Sequence, residues 1–322
     1  MISGSTMDCE HTNSPPNVVR TLVLFGRTGN GKSATGNTIL GDKKAFMSKK
    51  SSSAVTVNCE VQRTVLRDGK IINVIDTPGL FDNTVGSDVV CREIASCISM
   101  AMDGIHAVLA VFSARTRFSE EEVAAVRSLQ TIFGSRILDY IIVVFTGGDG
   151  FEDNDETFED YLGSAGCPEP LKEIIVLCKN RVVVFDNKTK DESKRVEQIE
   201  KLLSHVNMVV EQNGGRPYTD ELFAEWKELE IKLRSERERF DSKKDHSSQQ
   251  VLEFKDQKER SYEEQLKRIT EMIESKLRGK TITLEQQLEE EKAARMKVEK
   301  LDCLNEEKSN ELIRSSARSE TW

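Results

Sequence analysis

Residues 26–33 read Gly-Arg-Thr-Gly-Asn-Gly-Lys-Ser and lie between two segments of different character. Before them stands the apolar run 18–25 (VVRTLVLF), and residues 33–40 have helical character. Glycines let backbone N–H groups turn inward around an anion, and the start of a helix adds the positive end of its dipole. GxxxxGKS at a strand-to-helix junction therefore predicts a phosphate-binding loop rather than a merely glycine-rich turn.

Two side chains of this loop have expected tasks. Lys32 should reach the β- and γ-phosphates of a nucleotide, and the Ser33 hydroxyl should bind Mg²⁺. The residues predicted to hold the nucleotide here are Gly26, Arg27, Thr28, Gly29, Asn30, Gly31, Lys32, Ser33 and Ala34.

A second motif, Asp76-Thr77-Pro78-Gly79, follows the apolar segment 71–75. A carboxylate at the end of a buried strand is costly unless it is paired or metal-linked. We therefore expect Asp76 to be the acid on the Mg²⁺ side, often acting through water. Gly79 can bring its N–H toward a γ-phosphate. The alternative for Asp76 is an ordinary turn or helix-capping residue.

Strand-like and helix-like segments alternate between 18 and 210, which predicts an α/β fold with a doubly wound, mainly parallel sheet. Ligands of such sheets bind at the carboxyl ends of the strands. The loops that follow predicted strands should therefore converge on one face; they are 26–33, 76–83, 146–150 and 186–188.

The chain is predicted to divide into four segments. They are a disordered leader at 1–17, a nucleotide-binding domain at 18–212, a linker at 213–220 that contains Gly214-Gly215-Arg216-Pro217, and a charged helical or coiled-coil tail at 221–322.

The tail is rich in Glu, Lys, Arg, Leu and Gln, a composition typical of long helices. Tyr262, Leu266, Ile269 and Ile273 keep a 4-3-4 spacing, although the later seam is imperfect. This pattern favours a helix that pairs with itself or with another helix over a solitary solvated helix.

The composition limits the possible partners and locations. The 322 residues carry a formal net charge of −9, which argues against binding nucleic acid by general electrostatics. Residues 1–17 lack the basic and apolar regions of a signal peptide, and no run of about 18 apolar residues occurs. We expect a cytoplasmic protein whose association with an intracellular membrane, if any, is peripheral and indirect.

A third motif, Thr146-Gly147-Gly148-Asp149, follows the predicted strand 140–145. GTPases commonly carry an Asn/Thr-Lys-x-Asp box here, whose Asp accepts hydrogen bonds from guanine N1 and N2 that adenine cannot donate. Thr146 and Asp149 fit this box, but Gly147 replaces the lysine whose stem normally covers the base. Weaker affinity follows, and an ATP-binding protein remains an alternative because the phosphate loop alone does not choose a base.

At residues 20–210 the chain resembles the avirulence-induced-gene (AIG-type), or immune-associated nucleotide-binding, GTPases. The resemblance lies in SATGNTIL at 33–40, DTPGLFD at 76–82, GIHAV at 104–108 and RFSEEE at 117–122. The Thr-Gly-Gly-Asp variant is similar to the plant branch of this family.

The resemblance implies GTP and GDP as ligands with Mg²⁺, a role in stress or immune responses, and dimerisation through the G domain when GTP is bound. It implies that Thr56 is the switch threonine that closes on Mg²⁺ and the γ-phosphate, although spacing alone does not separate Thr56 from Ser51–Ser53 or Thr64. It also implies that Asn187 helps to hold guanine; the alternative for Asp186-Asn187 is a simple turn.

Hydrolysis is expected to be slow. Small GTPases have a water-orienting Gln after the DxxG glycine, and Leu80 stands there instead. We hypothesise that Arg117, more than Arg115, supplies charge to a partner's γ-phosphate on dimerisation; the alternative is that Arg117 pairs with acids at 120–121. The alternative function is an assembly scaffold that binds GTP or GDP with negligible turnover.

Overall fold

The computed structural model describes residues 19–48, 56, 58–80, 86–116, 118–153, 157–164, 167–242 and 248–319. The predicted leader at 1–17 and the predicted catalytic residue Arg117 lie outside these ranges.

Within the described residues, six strands form one sheet in the order β2-β3-β1-β4-β5-β6. The strands are β1 (Val19–Phe25), β2 (Glu60–Val65), β3 (Ile71–Asp76), β4 (Ala107–Ser113), β5 (Ile141–Thr146) and β6 (Val182–Phe185). β2 pairs antiparallel with β3, whereas the other neighbouring strands are parallel. This sheet confirms the predicted doubly wound, mainly parallel class.

Along the chain, helices lie between the strands and after the last strand. They are α1 (Lys32–Leu40), α2 (Ser87–Met100), α3 (Glu120–Phe133), α4 (Asp149–Asp153), α5 (Phe158–Gly163), α6 (Glu169–Leu177), α7 (Glu192–Gln212), α8 (Glu221–Asp241) and α9 (Ser248–Ser319), with a 3₁₀ helix at Ser135–Tyr140. No helix in the described part of the chain is long and apolar enough to cross a membrane.

The loop predicted at 146–150 differs from what the structure shows, because α4 begins inside it at Asp149. The physical reason is local packing. The Phe151 ring lies edge-on to Phe158 at 5.8 Å and to Tyr161 at 5.7 Å, which favours a helical turn that aims Phe151 at α5.

The core lies along the central strands. β5 is buried at every residue and β4 at all but its last, as parallel strands covered on both faces require. β2 is an edge strand and stays mostly exposed. Because β1, β3, β4, β5 and β6 are parallel, their carboxyl ends lie at one edge of the sheet.

The segment predicted as a linker contains a core residue. Tyr218 is 2% exposed, donates its hydroxyl to the Phe133 carbonyl, and packs edge-on against Tyr140 at 5.5 Å. It also forms a backbone bridge with Ile105. The chain divides into two compact units, the first ending at Glu274 and the second beginning at Ser275.

The beginning of the charged tail belongs to the first of these units. In α8, Leu222, Phe223 and Trp226 are buried. In α9, the Tyr262 hydroxyl lies 2.9 Å from that of Ser99 on α2, and Ile269 and Ile273 are fully buried. The first part of the predicted apolar seam thus packs within its own chain.

Candidate nucleotide-binding site

The loop between β1 and α1 has the backbone that a phosphate cradle needs. Gly26, Gly29 and Gly31 have φ values of 146°, 87° and 93°, a region that favours glycine. A Cβ at Gly26 would lie 2.4 Å from the Val111 carbonyl oxygen, so only glycine fits there. Arg27, Thr28 and Gly29 form the outer, more exposed arc of the loop.

Lys32 places its ammonium group inside this loop. The side chain is 6% exposed, and Nζ donates to the carbonyls of Gly26 at 2.8 Å and Arg27 at 3.1 Å. A buried ammonium needs such acceptors. A phosphate entering the loop would meet this charge at close range.

The Asn30 side chain does not face the inside of the loop but holds the loop through hydrogen bonds to neighbouring elements. Nδ2 donates to the Val111 carbonyl at 3.0 Å and to Oε1 of Glu122 at 2.9 Å. Glu122 is itself 3% exposed and accepts from the Ser119 backbone N–H at 2.8 Å, which caps α3. Only the backbone of Asn30 is therefore in place for a phosphate.

Glu122 is a supporting residue that sequence reasoning missed. Its signal was the capping-box spacing Ser119-x-x-Glu122, which marks a helix start but does not reveal a second partner in the phosphate loop.

Three oxygen-bearing side chains from separate elements converge beside the loop. The Ser33 hydroxyl donates to Oδ2 of Asp76 at 2.5 Å and lies 3.2 Å from the Thr56 hydroxyl. Thr56 also donates to the same carboxylate oxygen at 3.4 Å. Thr56, which spacing could not separate from neighbouring hydroxyl residues, thus meets the two other predicted Mg²⁺-side residues.

The buried carboxylate of Asp76 fits a cation. Asp76 is 1% exposed, and its Oδ1 has no hydrogen-bond partner in the described part of the chain. Burial raises the pKa of Asp76 above its ordinary value, despite the hydrogen bond from Ser33 and the charge of Lys32. Hydroxyl and carboxylate oxygens are the donors that Mg²⁺ takes, together with water and phosphate oxygens.

A Mg²⁺ site beside a nucleotide does not need a cage made only of protein ligands. Among the described residues, no group of three His, Cys, Asp or Glu side chains could hold a metal ion. Mg²⁺ at nucleotide sites usually uses one or two protein oxygens plus waters and phosphates. Ser33, Thr56 and Asp76 would be the protein's share of such a site.

The turn after Asp76 is anchored on β1. The Thr77 hydroxyl donates to the Leu24 carbonyl at 2.7 Å, which positions Gly79 and Leu80 two and three residues later. Leu80 is apolar and 3% exposed. It therefore offers no group that could orient a water molecule.

Thr146 and Asp149 lie at the end of β5 but do different things. The Thr146 hydroxyl donates to the Asn30 carbonyl at 2.7 Å, so it supports the phosphate loop rather than facing a base. The Asp149 carboxylate forms ion pairs with Arg115 and, at 3.4 Å, with Lys188. Burial acts to raise the pKa of Asp149, but Arg115 and Lys188 outweigh it and hold that pKa below the ordinary value.

Asn187 is clamped to α1. Its Oδ1 accepts from the Thr38 hydroxyl at 2.8 Å, and its Nδ2 donates to the Thr35 hydroxyl at 3.0 Å. Beside it opens a cavity of about 370 Å³ whose wall includes Ala34, Thr38 and Asp186–Thr189. The role of Asn187 toward guanine stays a prediction.

A glycine-rich loop with a buried lysine, a hydroxyl–carboxylate cluster beside it and a parallel sheet behind it define the class of P-loop nucleotide-binding domains. A model of the AIG1 family matches residues 20–237, and the chain belongs to this family, which confirms the resemblance noted in its motifs.

Two relatives from Arabidopsis thaliana illustrate how far the similarity extends. Immune-associated nucleotide-binding protein 9 is 56% identical over 287 residues, which cover 89% of this chain and 83% of that protein. Immune-associated nucleotide-binding protein 7 is 50% identical over 257 residues, or 80% of this chain and 82% of that protein.

Solved structures with related folds are more distant. Toc33 from Arabidopsis thaliana in complex with Mg²⁺ and GMPPNP is 22% identical, with a TM-score of 0.48, over 62% of this chain and 86% of that chain. The G domain of the T. maritima FeoB iron transporter is 17% identical, with a TM-score of 0.36, over 60% of this chain and 99% of that chain.

Proposed function

We propose that this protein is a GTP-binding switch that uses Mg²⁺ and hydrolyses GTP slowly, in a reaction that depends on dimerisation. Its curated relatives are named immune-associated nucleotide-binding proteins, which supports a role in stress or immune responses. We place this activity in the cytoplasm, without nucleic acid as a ligand, and with only indirect contact to membranes.

The observation that carries the proposal is the meeting of Ser33, Thr56 and Asp76. Ser33 opens α1, Asp76 ends β3, and Thr56 comes from the segment between α1 and β2. A bound Mg²⁺ would supply positive charge against the phosphates, and these three oxygens would hold it. Because Thr56 belongs to a connecting segment, its contact with Mg²⁺ can depend on whether the γ-phosphate is bound.

The choice of guanine rests on Asp149. Its pKa is held below the ordinary value, so the carboxylate is ionised at neutral pH and can accept from N1 and N2 of guanine. Adenine presents no matching pair of donors, and an acceptor left without partners in a closed site costs binding energy.

Slow hydrolysis follows from Leu80, which cannot orient the attacking water. A partner chain could supply a catalytic group instead. The γ-phosphoryl transition state spreads negative charge over its oxygens, and a guanidinium placed there is worth about 10³–10⁵ in rate. Arg115 is engaged with Asp149, so Arg117 is the residue we assign to act in trans. A G-domain homodimer would bring it to the partner's phosphates.

The decisive experiment measures turnover per chain across protein concentration, with oligomer mass measured by light scattering in GDP, GTP and ATP. Specific activity should rise with concentration in GTP. A mixture of Arg117→Ala and Lys32→Ala chains should regain turnover, because one chain keeps the nucleotide and the other keeps the arginine. Flat specific activity and an inactive mixture would contradict the trans arginine.

The second candidate is a scaffold that assembles on GTP with negligible turnover. The burial of apolar Leu80 at the usual water-orienting position favours it. GTP-driven dimers without measurable phosphate release would select the scaffold over the hydrolase.

A further inference from the structure

The space above Gly147 is filled by the side chain of Arg115. A Cβ built on Gly147 would lie 2.9 Å from Cγ, 3.0 Å from Nε and 3.2 Å from Cδ of Arg115. Gly147 is the position where the guanine box normally has lysine, and its φ of 87° also favours glycine. The Arg115 side chain, which comes from the turn after β4, thus fills the space beside Gly147.

The same side chain continues to the guanine-reading carboxylate. The Arg115 guanidinium forms an ion pair with Oδ2 of Asp149, the oxygen that Lys188 also approaches at 3.4 Å. Arg115 itself is anchored in the turn after β4, where its backbone N–H donates to the Ser113 hydroxyl at 3.3 Å. The Arg115 stem therefore lies along Gly147, and its guanidinium lies at Asp149.

We propose that Arg115 is a specificity-determining residue that replaces the box lysine: its stem and planar guanidinium cover one face of the guanine base while its ion pair orients Asp149. This inference rests on the proposed function, since it needs a guanine nucleotide at Asp149. A guanidinium plane stacks on flat rings better than an ammonium does, and an arginine stem buries apolar surface while its head stays wet.

The arrangement accounts for the departure from the common GTPase box at position 147. With Arg115 in this conformation, a Cβ at 147 would lie 2.9 Å from its Cγ, so glycine at 147 leaves the space that the Arg115 stem occupies. An Arg115 that merely stabilised the surface would contribute about 0–1 kcal/mol as a half-exposed ion pair. The two roles therefore predict different effects on ligand binding.

The test compares Mg²⁺-GDP with Mg²⁺-tripolyphosphate, by calorimetry, on the full chain and its variants. Arg115→Ala should lose about tenfold or more in GDP affinity, because one face of the base is uncovered, while tripolyphosphate affinity stays unchanged. Arg115→Met, which keeps the stem and loses the charge, should retain part of the GDP affinity. Arg127→Ala, which removes an exposed arginine from α3, is the matched control and should bind GDP as wild type does.

A rescue separates this role from a structural one. In Arg115→Ala/Gly147→Lys the collision is gone and a lysine stem returns, so GDP affinity should recover in part; the positive φ at 147 keeps the recovery incomplete. Thermal unfolding of Arg115→Ala and Arg115→Met without ligand should match wild type, since Arg115 is exposed. The double variant should unfold at a lower temperature, because a lysine is strained at the positive φ of position 147.

GDP affinity that is unchanged in Arg115→Ala overturns the proposal. Affinity that rises in that variant also overturns it, because Arg115 would then compete with the base for Asp149. If wild type binds ADP as tightly as GDP, the proposed function itself fails. If wild type prefers GDP to ADP and Arg115→Ala binds GDP as wild type does, only the role of Arg115 is refuted.

Discussion

The Ser33 hydroxyl donates a 2.5 Å hydrogen bond to Oδ2 of Asp76, which ties the first turn of α1 to the end of β3. The contact joins a side chain of the phosphate loop to the carboxylate of Asp76, and Thr56 donates to the same carboxylate oxygen. Nearby, Lys32 is directed into the loop itself. The two residues that follow Gly31 therefore have separate tasks, which substitutions can distinguish.

Lys32→Ala should weaken GDP and GTP alike, because both nucleotides lose the same charge. Ser33→Asn should weaken GTP more than GDP, because Ser33 acts through Mg²⁺ and the Thr56 contact that the γ-phosphate engages. Calorimetry with both nucleotides measures the two ratios. Wild-type affinity in Lys32→Ala would refute the phosphate-site assignment.

Asp76→Asn should stabilise the protein in the absence of Mg²⁺ and nucleotide. The folded-state pKa of Asp76 is raised by burial, so its favourable contribution is complete below the ordinary carboxyl pKa and is lost as pH rises through the raised value. Above the raised pKa the ionised group costs free energy in the folded state, because it is buried and its Oδ1 has no hydrogen-bond partner in the described part of the chain. Asparagine removes this cost and still accepts from Ser33.

Chemical denaturation at pH 7 checks this, with Asp256→Asn on the exposed face of α9 as the control. Mg²⁺ with GDP should then stabilise wild type more than Asp76→Asn. A less stable ligand-free Asp76→Asn would show that the buried carboxylate is already compensated.

The free energy of unfolding should fall between pH 6.5 and pH 4 because of His106. Its Nδ1 accepts from the Thr21 backbone N–H at 3.0 Å, and burial, together with the charge of Arg20, lowers its pKa to about 4. A histidine with a depressed folded-state pKa contributes stability above its unfolded pKa and loses it as pH falls through the folded value. The loss should reach about 3 kcal/mol.

His106→Asn retains an acceptor for Thr21 but cannot be protonated in this range. Its unfolding free energy should therefore change less between pH 6.5 and pH 4 than that of wild type. Parallel pH profiles for the two proteins would exclude His106 as the source.

Removal of the segment that begins at Tyr218 should lower the stability of the domain that contains the sheet. A chain cut after Gly215 loses Tyr218, Phe223 and Trp226 from buried positions, whereas one cut after Glu274 keeps them. The shorter chain should unfold at a lower temperature and be less soluble. In the full chain, Tyr218→Ala should cost about 3–5 kcal/mol as a large core truncation.

Thermal scans of the two truncated chains and Tyr218→Ala measure this directly. Tyr218→Phe is the matched control, since it removes only the hydroxyl that bonds to Phe133. Equal melting temperatures for the two truncations would place the domain boundary at the predicted linker.

The phosphate loop and the mainly parallel sheet of the domain were predictable because they depend on local signals. A glycine-rich turn between an apolar run and a helix demands one backbone shape, and strand–helix alternation demands a parallel sheet. Asp76 was predictable for the same reason, since a carboxylate at the end of a buried strand requires a partner.

Side-chain direction depends on distant partners and could not be read from motif spacing. Asn30 lies within the loop motif, yet its amide binds Glu122, which is 92 residues away. Asn187 is held by threonines of α1, and Arg115 reaches Asp149 across a strand end. Likewise, Gly-Gly-Arg-Pro resembles a boundary, but burial of Tyr218 depends on aromatic neighbours far away in the chain.

The most direct test of the central claim, guanine-nucleotide binding through Asp149, is competition among GTP, XTP and ATP in wild type and Asp149→Asn. Wild type should prefer GTP to both competitors. Asp149→Asn should shift preference toward XTP, because the amide presents a donor where the carboxylate accepted. An unchanged GTP/XTP ratio in the variant, with ATP bound as tightly as GTP in wild type, would contradict that claim.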